Sequence, residues 1–385
     1  MGRQFLCIAA CLVGLFGCAS APPVSPPSAS AWADQVFDYE PSLVTVSKDD
    51  LFRLDPELQE VLKNPAIQRM DVPMRLERII ALLYGQEVKR FGYIAGHSTV
   101  AAETWRQRRG DCLSLTVLAY AMGRAMNLDA QMREVPIEVV FDRRDKLEFL
   151  SQHVNVLFRH TGQVDLSYRN VITPSHDIVL DFEPGVVARH IGEPLTDQGI
   201  LARYYNNAAA EHMAKGRPAL AYAHFKAAIE ADPSFAASYG NLALLYRSKD
   251  LTAQAEQLLH TAVKLSKHPY VPMHALRQLL IDQGRFAEAS EVERQLQSRR
   301  DLDPNHWIGI GVRHLEAGEY RAAIRALERA QKLTTGFEEV HQYLALAYWR
   351  AGERAQADQQ LALLGSLSRD GSSLSRVQKK MSTSP

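Results

Sequence analysis

The chain has 385 residues, 46% of them hydrophobic and 23% charged, the balance of a folded protein long enough for two sizeable units. Its 44 basic and 44 acidic residues cancel, so it lacks the basic footprint that a phosphate backbone requires, which argues against nucleic acid as a partner.

Residues 1–17 carry a single charge, Arg3, ahead of an apolar run from Phe5 to Phe16. That is the pattern of an export signal, and the run is shorter than the ~20 residues a spanning helix needs. Its end, Leu15-Phe16-Gly17-Cys18, resembles the signal peptide of a bacterial lipoprotein. The resemblance implies that Cys18 is acylated as the first residue of the mature protein. With Ala19 next, it also implies the bacterial cell envelope, at the outer membrane and facing the periplasm. The alternative is a plain secretory signal cleaved elsewhere. Residues 18–31 contain the Pro/Ser-rich stretch Ala21 to Ala31, which cannot form a core and reads as an extended tether. Of the cysteines Cys7, Cys11, Cys18 and Cys112, lipidation of Cys18 leaves Cys112 as the single thiol of the mature chain. With one thiol, no His-Glu-x-x-His run and no phosphate loop, neither a metal nor a cofactor is expected.

Residues 32–200 read as one α+β domain, helices first and strands afterwards. Asp55-Pro56 caps and opens a helix that Asn64-Pro65 ends. A second helix runs from Val72 to the region of Lys89 with Leu76, Ile79, Ile80 and Leu83 on one face. Ser98 is expected to cap a third, through Arg106. Arg108-Arg109-Gly110-Asp111 is expected to be a polar turn, with Gly110 allowing a sharp change of direction. Cys112 then opens a helix that is apolar on several sides and so belongs at the centre of a core. Strands are expected over Met132–Val140, His153–Phe158, Val164–Tyr168 and Ile178–Phe182.

Gly110-Asp111-Cys112, the buried helix after it, His153-Val154-Asn155-Val156 and Val179-Leu180-Asp181-Phe182 together resemble the transglutaminase-like superfamily. That resemblance implies a papain-like triad: Cys112 as nucleophile, His153 as base and Asp181 as the residue that orients the histidine. The interval from His153 to Asp181 is longer than the family's usual hairpin, and Asp165 is a competing third member. His160, His176 and His190 are alternatives to His153 that lack a matching strand.

Residues 202–371 repeat with a 34-residue period. The twentieth position is alanine five times, at Ala221, Ala255, Ala289, Ala323 and Ala357. The turn position holds Gly216, Asp250, Gly284, Gly318 and Gly352, residues that tolerate a left-handed backbone. The eighth position reads Ala209, Ala243, Arg277, Gly311 and Ala345, where only Arg277 is large. These positions resemble the tetratricopeptide repeat, implying five helical hairpins stacked into an all-α solenoid that binds a protein or peptide. Repeat three departs from the pattern at Arg277 and Glu293. His212, His224, His260 and His314 share no ligand spacing between repeats. A chain ending at Ile200 is expected to fold by itself. Residues 372–385 read as a polar tail.

Two functions follow from this organisation. The first is a membrane-anchored cysteine acyl-transfer enzyme, a transglutaminase-like peptidase or amide-exchange enzyme, whose repeats recruit a protein. The second is a binding lipoprotein whose transglutaminase-like domain is inactive.

Overall fold

The computed structural model describes residues 32–84, 91–94, 96–135, 140–144, 147–151, 153–159, 171–172, 177–182, 192–297, 301, 303–335, 337–367 and 372–382. The expected signal, tether and lipidation site at Cys18, the strand at Val164–Tyr168, and Asp165, His160, His176 and His190 all lie outside these residues. No described helix is long and apolar enough to cross a membrane.

The N-terminal half opens with α1 (Lys48–Phe52), α2 (Pro56–Lys63), α3 (Pro65–Gln68) and α4 (Val72–Tyr84). Asp55 caps α2 by accepting from Glu57 N, and Pro56 stands where a helix has no N–H to lose, as the sequence predicts. Next come β1 (Gly92–Tyr93), α5 (Ala101–Gln107), β2 (Arg109–Gly110) and α6 (Cys112–Ala125). Strands follow: β3 (Asp129–Glu134), β4 (Val140–Arg144), β5 (Leu147–Ser151), β6 (Val154–Arg159), β7 (Val171–Ile172), β8 (Asp177–Leu180) and β9 (Glu193–Pro194). Five of them form one antiparallel sheet in the order β7-β8-β6-β3-β9. α6 is the central helix: Val117, Leu118 and Met122 are fully buried with Val156 and Phe158 of β6 and Ile178 and Leu180 of β8.

Two local expectations are corrected. Ser98 does not cap α5, whose N-cap is Val100 without a side-chain bond. Its hydroxyl donates instead to Asp111 Oδ2, because a buried carboxylate must be given donors. Residues 109–110 are not a free turn either; they pair in parallel with β1. Gly110 serves close approach, since a Cβ there would stand 2.7 Å from Ser114 Cβ.

The C-terminal half is a helical, tetratricopeptide-like solenoid. Its hairpins are α7 (Asp197–Ala214) with α8 (Pro218–Ala231), α9 (Ala236–Arg247) with α10 (Thr252–Leu265), and α11 (Tyr270–Asp282) with α12 (Phe286–Gln297). α13 (Pro304–Glu316) with α14 (Tyr320–Lys332) and α15 (Glu338–Arg350) with α16 (Arg354–Leu367) complete it. All five turn residues adopt positive φ, from 57° at Asp250 to 83° at Gly352. Of the five position-twenty alanines, four are fully buried and Ala289 is nearly so. A two-residue strand, β10 (Thr334–Thr335), links the last two hairpins. Beyond Gly371 the chain is not a featureless tail: α17 (Ser372–Ser382) buries Val377 beside Ala345 and Leu364 and so covers the last unit.

The expected boundary at Ile200 falls inside α7. This helix gives Ile200, Leu201, Tyr204 and Tyr205 to the N-terminal core, and Tyr205 Oη donates to Val46 O at 2.5 Å. A chain cut there would lose part of that core.

Candidate functional site

Cys112 is the first residue of α6 and is half-buried. The helix start is heavily fixed. Asp111 Oδ1 accepts from Ser114 N at 2.8 Å and Ser114 Oγ at 2.6 Å, and Oδ2 accepts from Ser98 Oγ at 2.5 Å. Ser98 Oγ in turn accepts from Asn207 Nδ2 of α7 at 3.1 Å. Ser114 Oγ also takes the Thr99 N–H at 2.8 Å. This network replaces the free turn of the sequence reading with a rigid one, and it reaches the first helix of the array.

His153 immediately precedes β6 and Asp181 immediately follows β8. Because the strands are antiparallel, with Val156 opposite Leu180, these two ends come together. His153 Nε2 lies 2.7 and 2.8 Å from the two Asp181 oxygens, and both residues are only 4% exposed. An ionised carboxylate only accepts, so Nε2 carries the proton and Nδ1 is left as the basic nitrogen. Tyr84 stacks on Phe182 at 5.6 Å, and burial together with the charge of Asp181 pushes its phenol above the ordinary range. The same strand register, carried one residue on, sets Asn155 opposite Asp181. Asn155 is 1% exposed, and its Nδ2 has no hydrogen-bond partner among the described residues. An unmet buried amide costs about 1–3 kcal/mol, a cost kept where a ligand completes the bond.

Thr116 ties the two ends of the site together. Its hydroxyl donates to Cys112 O at 2.7 Å and lies 3.4 Å from Val154 O, so the turn carrying Cys112 packs against the residue next to His153. Beside this turn, Arg108, at φ 53°, lays its guanidinium 3.5 Å from the Trp105 ring centre and 5.1 Å from that of Phe91. Sequence reasoning reached Cys112, His153 and Asp181 but not Ser98, Ser114, Thr116 or Asn207. Polar residues spread over 110 positions carry no periodic signal.

The repeat array presents a second kind of site. Consecutive hairpins meet through α8 with α9, α10 with α11 and α14 with α15, and residues 202–235 match the tetratricopeptide repeat family. Among solved structures, YrrB, a TPR protein with an unusual peptide-binding site, is 17% identical, with a TM-score of 0.25 over 46% of this chain and 92% of that one. MamA from Desulfovibrio magneticus RS-1, residue 41 to the end, is 15% identical, with a TM-score of 0.26 over 46% of this chain and 99% of that one. Another MamA crystal structure is 20% identical, with a TM-score of 0.24, covering 49% of this chain and 97% of its own. Curated proteins give no match.

The array also holds the segment of residues 32–39. Phe37, 2% exposed, stacks on Tyr222 at 4.6 Å and on Tyr246 at 5.7 Å. Lys226 Nζ donates to Asp34 at 2.8 Å, and Tyr222 Oη donates to the same carboxylate at 2.6 Å.

Proposed function

We propose that the protein is a cysteine acyl-transfer enzyme of transglutaminase-like type, anchored in the cell envelope through lipid on Cys18, whose repeats recruit a protein or peptide. Cys112 is the nucleophile, His153 Nδ1 its base, and Asp181 the group that holds the imidazole in the needed tautomer. The observation that carries this reading is the buried bond from His153 Nε2 to both oxygens of Asp181. A carboxylate held there stabilises the imidazolium formed when the thiol gives up its proton. Position at the first turn of α6 supports a thiolate, because backbone N–H groups and the positive end of the helix dipole face it. Those N–H groups would stabilise an oxyanion on an attacked carbonyl, worth about 2.7–4 kcal/mol per donor. Attack gives a thioester and releases an amine; water or a second amine then takes the acyl group and returns the proton through His153.

The second reading is a binding scaffold without chemistry, and the array favours it. A thiol-directed covalent probe separates the two. Labelling of the wild type that is faster than that of a denatured control, and lost in Cys112→Ser, supports the enzyme. Labelling no faster than the denatured control sinks it.

A further inference from the structure

The β4–β5 hairpin does not belong to the five-stranded sheet. β4 pairs instead in parallel with β10, Phe141 opposite Thr334 and Asp142 opposite Thr335. β5 lies against α7 and α9. Those are the first helices of the first two hairpins, whereas β10 joins the fourth to the fifth. First helices neighbour one another at the first and last junctions, α7 with α9 and α13 with α15, as they do on the inner side of a helical-repeat stack. The hairpin therefore crosses the inner surface of the array, from its first units to its last junction. A two-stranded hairpin is marginal in water by itself, so pairing with β10 is what orders it.

We infer that the inner face of the array is a strand-binding site, occupied here by the chain's own β4–β5 arm, and that a partner polypeptide takes the arm's place in extended form. The partner adds its backbone to Thr334–Thr335 as β4 does, the mode by which an extended peptide completes an exposed sheet edge. Its chemistry is that of the arm, an aromatic residue among charges, as in Val140-Phe141-Asp142-Arg143-Arg144. A tethered occupant acts at an effective concentration on the order of millimolar, so a partner must bind well below that to displace it. Displacement has a consequence at the other site: β5 ends at Ser151, two residues before His153, so freeing the arm frees the chain entering the His153–Asp181 pair. That consequence rests on the enzymatic reading, whereas the strand site does not.

Two experiments on the full chain test the strand site without using the chemistry of Cys112. In a Cys112→Ser background, Asp142→Cys and Thr335→Cys are joined with a short bismaleimide. Efficient intramolecular crosslinking is expected, and its absence overturns the docked arm. A fluorescent peptide of residues 140–151 is then titrated against the intact chain, the crosslinked chain, and a chain whose residues 140–151 are replaced by a Gly/Ser linker. It should bind the linker chain at least about 10-fold more tightly than the intact one, and the crosslinked chain not at all. Equal binding to all three, or binding to none, overturns the inference. Because no readout depends on the thiol of Cys112, failure of the enzymatic reading would leave these results unchanged.

Discussion

Arg277 on α11 and Glu293 on α12 meet as an ion pair, Nε to Oε2 at 3.3 Å. They are the two residues at which the third repeat departs from its signature, and the departures compensate each other across the hairpin. The pair is partly solvated, and such pairs contribute about 0.2–1 kcal/mol. Restoring the repeat chemistry with Arg277→Ala and Glu293→Phe together should stabilise the chain by about 0.5–2 kcal/mol, as consensus changes do. Glu293→Phe alone should fall below the double variant, because it strands Arg277 beside a ring. Urea melts of both single variants and the double decide this, and strictly additive effects of the two substitutions refute the compensation.

Two glycines on α13 should respond with opposite sign. A Cβ at Gly311 would stand 2.5 Å from Leu327 Cγ, and Leu327 is fully buried. Overpacking costs about 1–3 kcal/mol, against about 1 kcal/mol gained in helix propensity, so Gly311→Ala is expected to lower Tm. At Gly309 the nearest atom is Arg313 Nη1, at 3.6 Å, so Gly309→Ala should raise stability by about 0.4–1 kcal/mol. Equal shifts for both would mean that the close contact between α13 and α14 does not exist.

These responses mark what the sequence made legible. Alanine at position twenty and a left-handed residue at each turn repeat because one packing problem recurs every hairpin, and repetition is readable from one chain. The pairing of His153 with Asp181 was legible because short motifs surround both residues. Phe37 on Tyr222, Ser98 on Asp111 and Phe141 beside Thr334 were not, since each joins residues that no local pattern links. Ser98 misled for a physical reason: a serine ahead of an apolar run reads as a helix cap until a buried carboxylate is known to lie across from it.

Docking of the N-terminal segment should be separable from global folding. Phe37→Ala removes a buried ring of the kind whose loss costs about 3–5 kcal/mol, but the short segment it anchors can detach while the array stays folded. Limited proteolysis should therefore cut within residues 32–39 much faster in Phe37→Ala, with little change in Tm. A Tm drop without faster cleavage would show that the segment is integral to the array.

The first repeat should lose stability in mild acid. Burial, then the neighbouring His224 and Arg217, lower the His212 imidazole to about 4. An unfolded histidine takes up its proton near 6.5, so between about pH 6.5 and 4 the unfolded chain binds more protons than the folded one. Stability from this group is complete above about pH 6.5 and is lost as pH falls toward 4. Glu211, whose carboxyl is pushed up by burial but held down to about 2 by His97 and Lys215, keeps its own contribution over that range. His212→Gln should flatten the fall of Tm between pH 7 and 4.5; an unchanged slope would assign it to other groups.

The decisive variants concern His153 and Asp181. Asp181→Asn keeps the size of the side chain but can present an amide donor or a neutral oxygen to Nε2, so the imidazole loses both its fixed tautomer and the charge that favours its protonated form. If His153 activates Cys112, labelling by a thiol-directed probe at neutral pH should slow by about 10²–10⁴-fold in His153→Gln, the range that a positioned base contributes. Asp181→Asn should fall between that variant and wild type. Both variants alter a buried pair, so their Tm must be read alongside to show that the chain is folded during labelling. The pH profile carries the distinction that stability cannot. In the wild type, labelling persists below the ordinary thiol range because the ion pair supplies thiolate, whereas in His153→Gln it should rise only as the thiol ionises near 8.5. Superimposable profiles in folded proteins would remove His153 from any role in activating Cys112, and leave the His153–Asp181 bond as a structural clamp between β6 and β8.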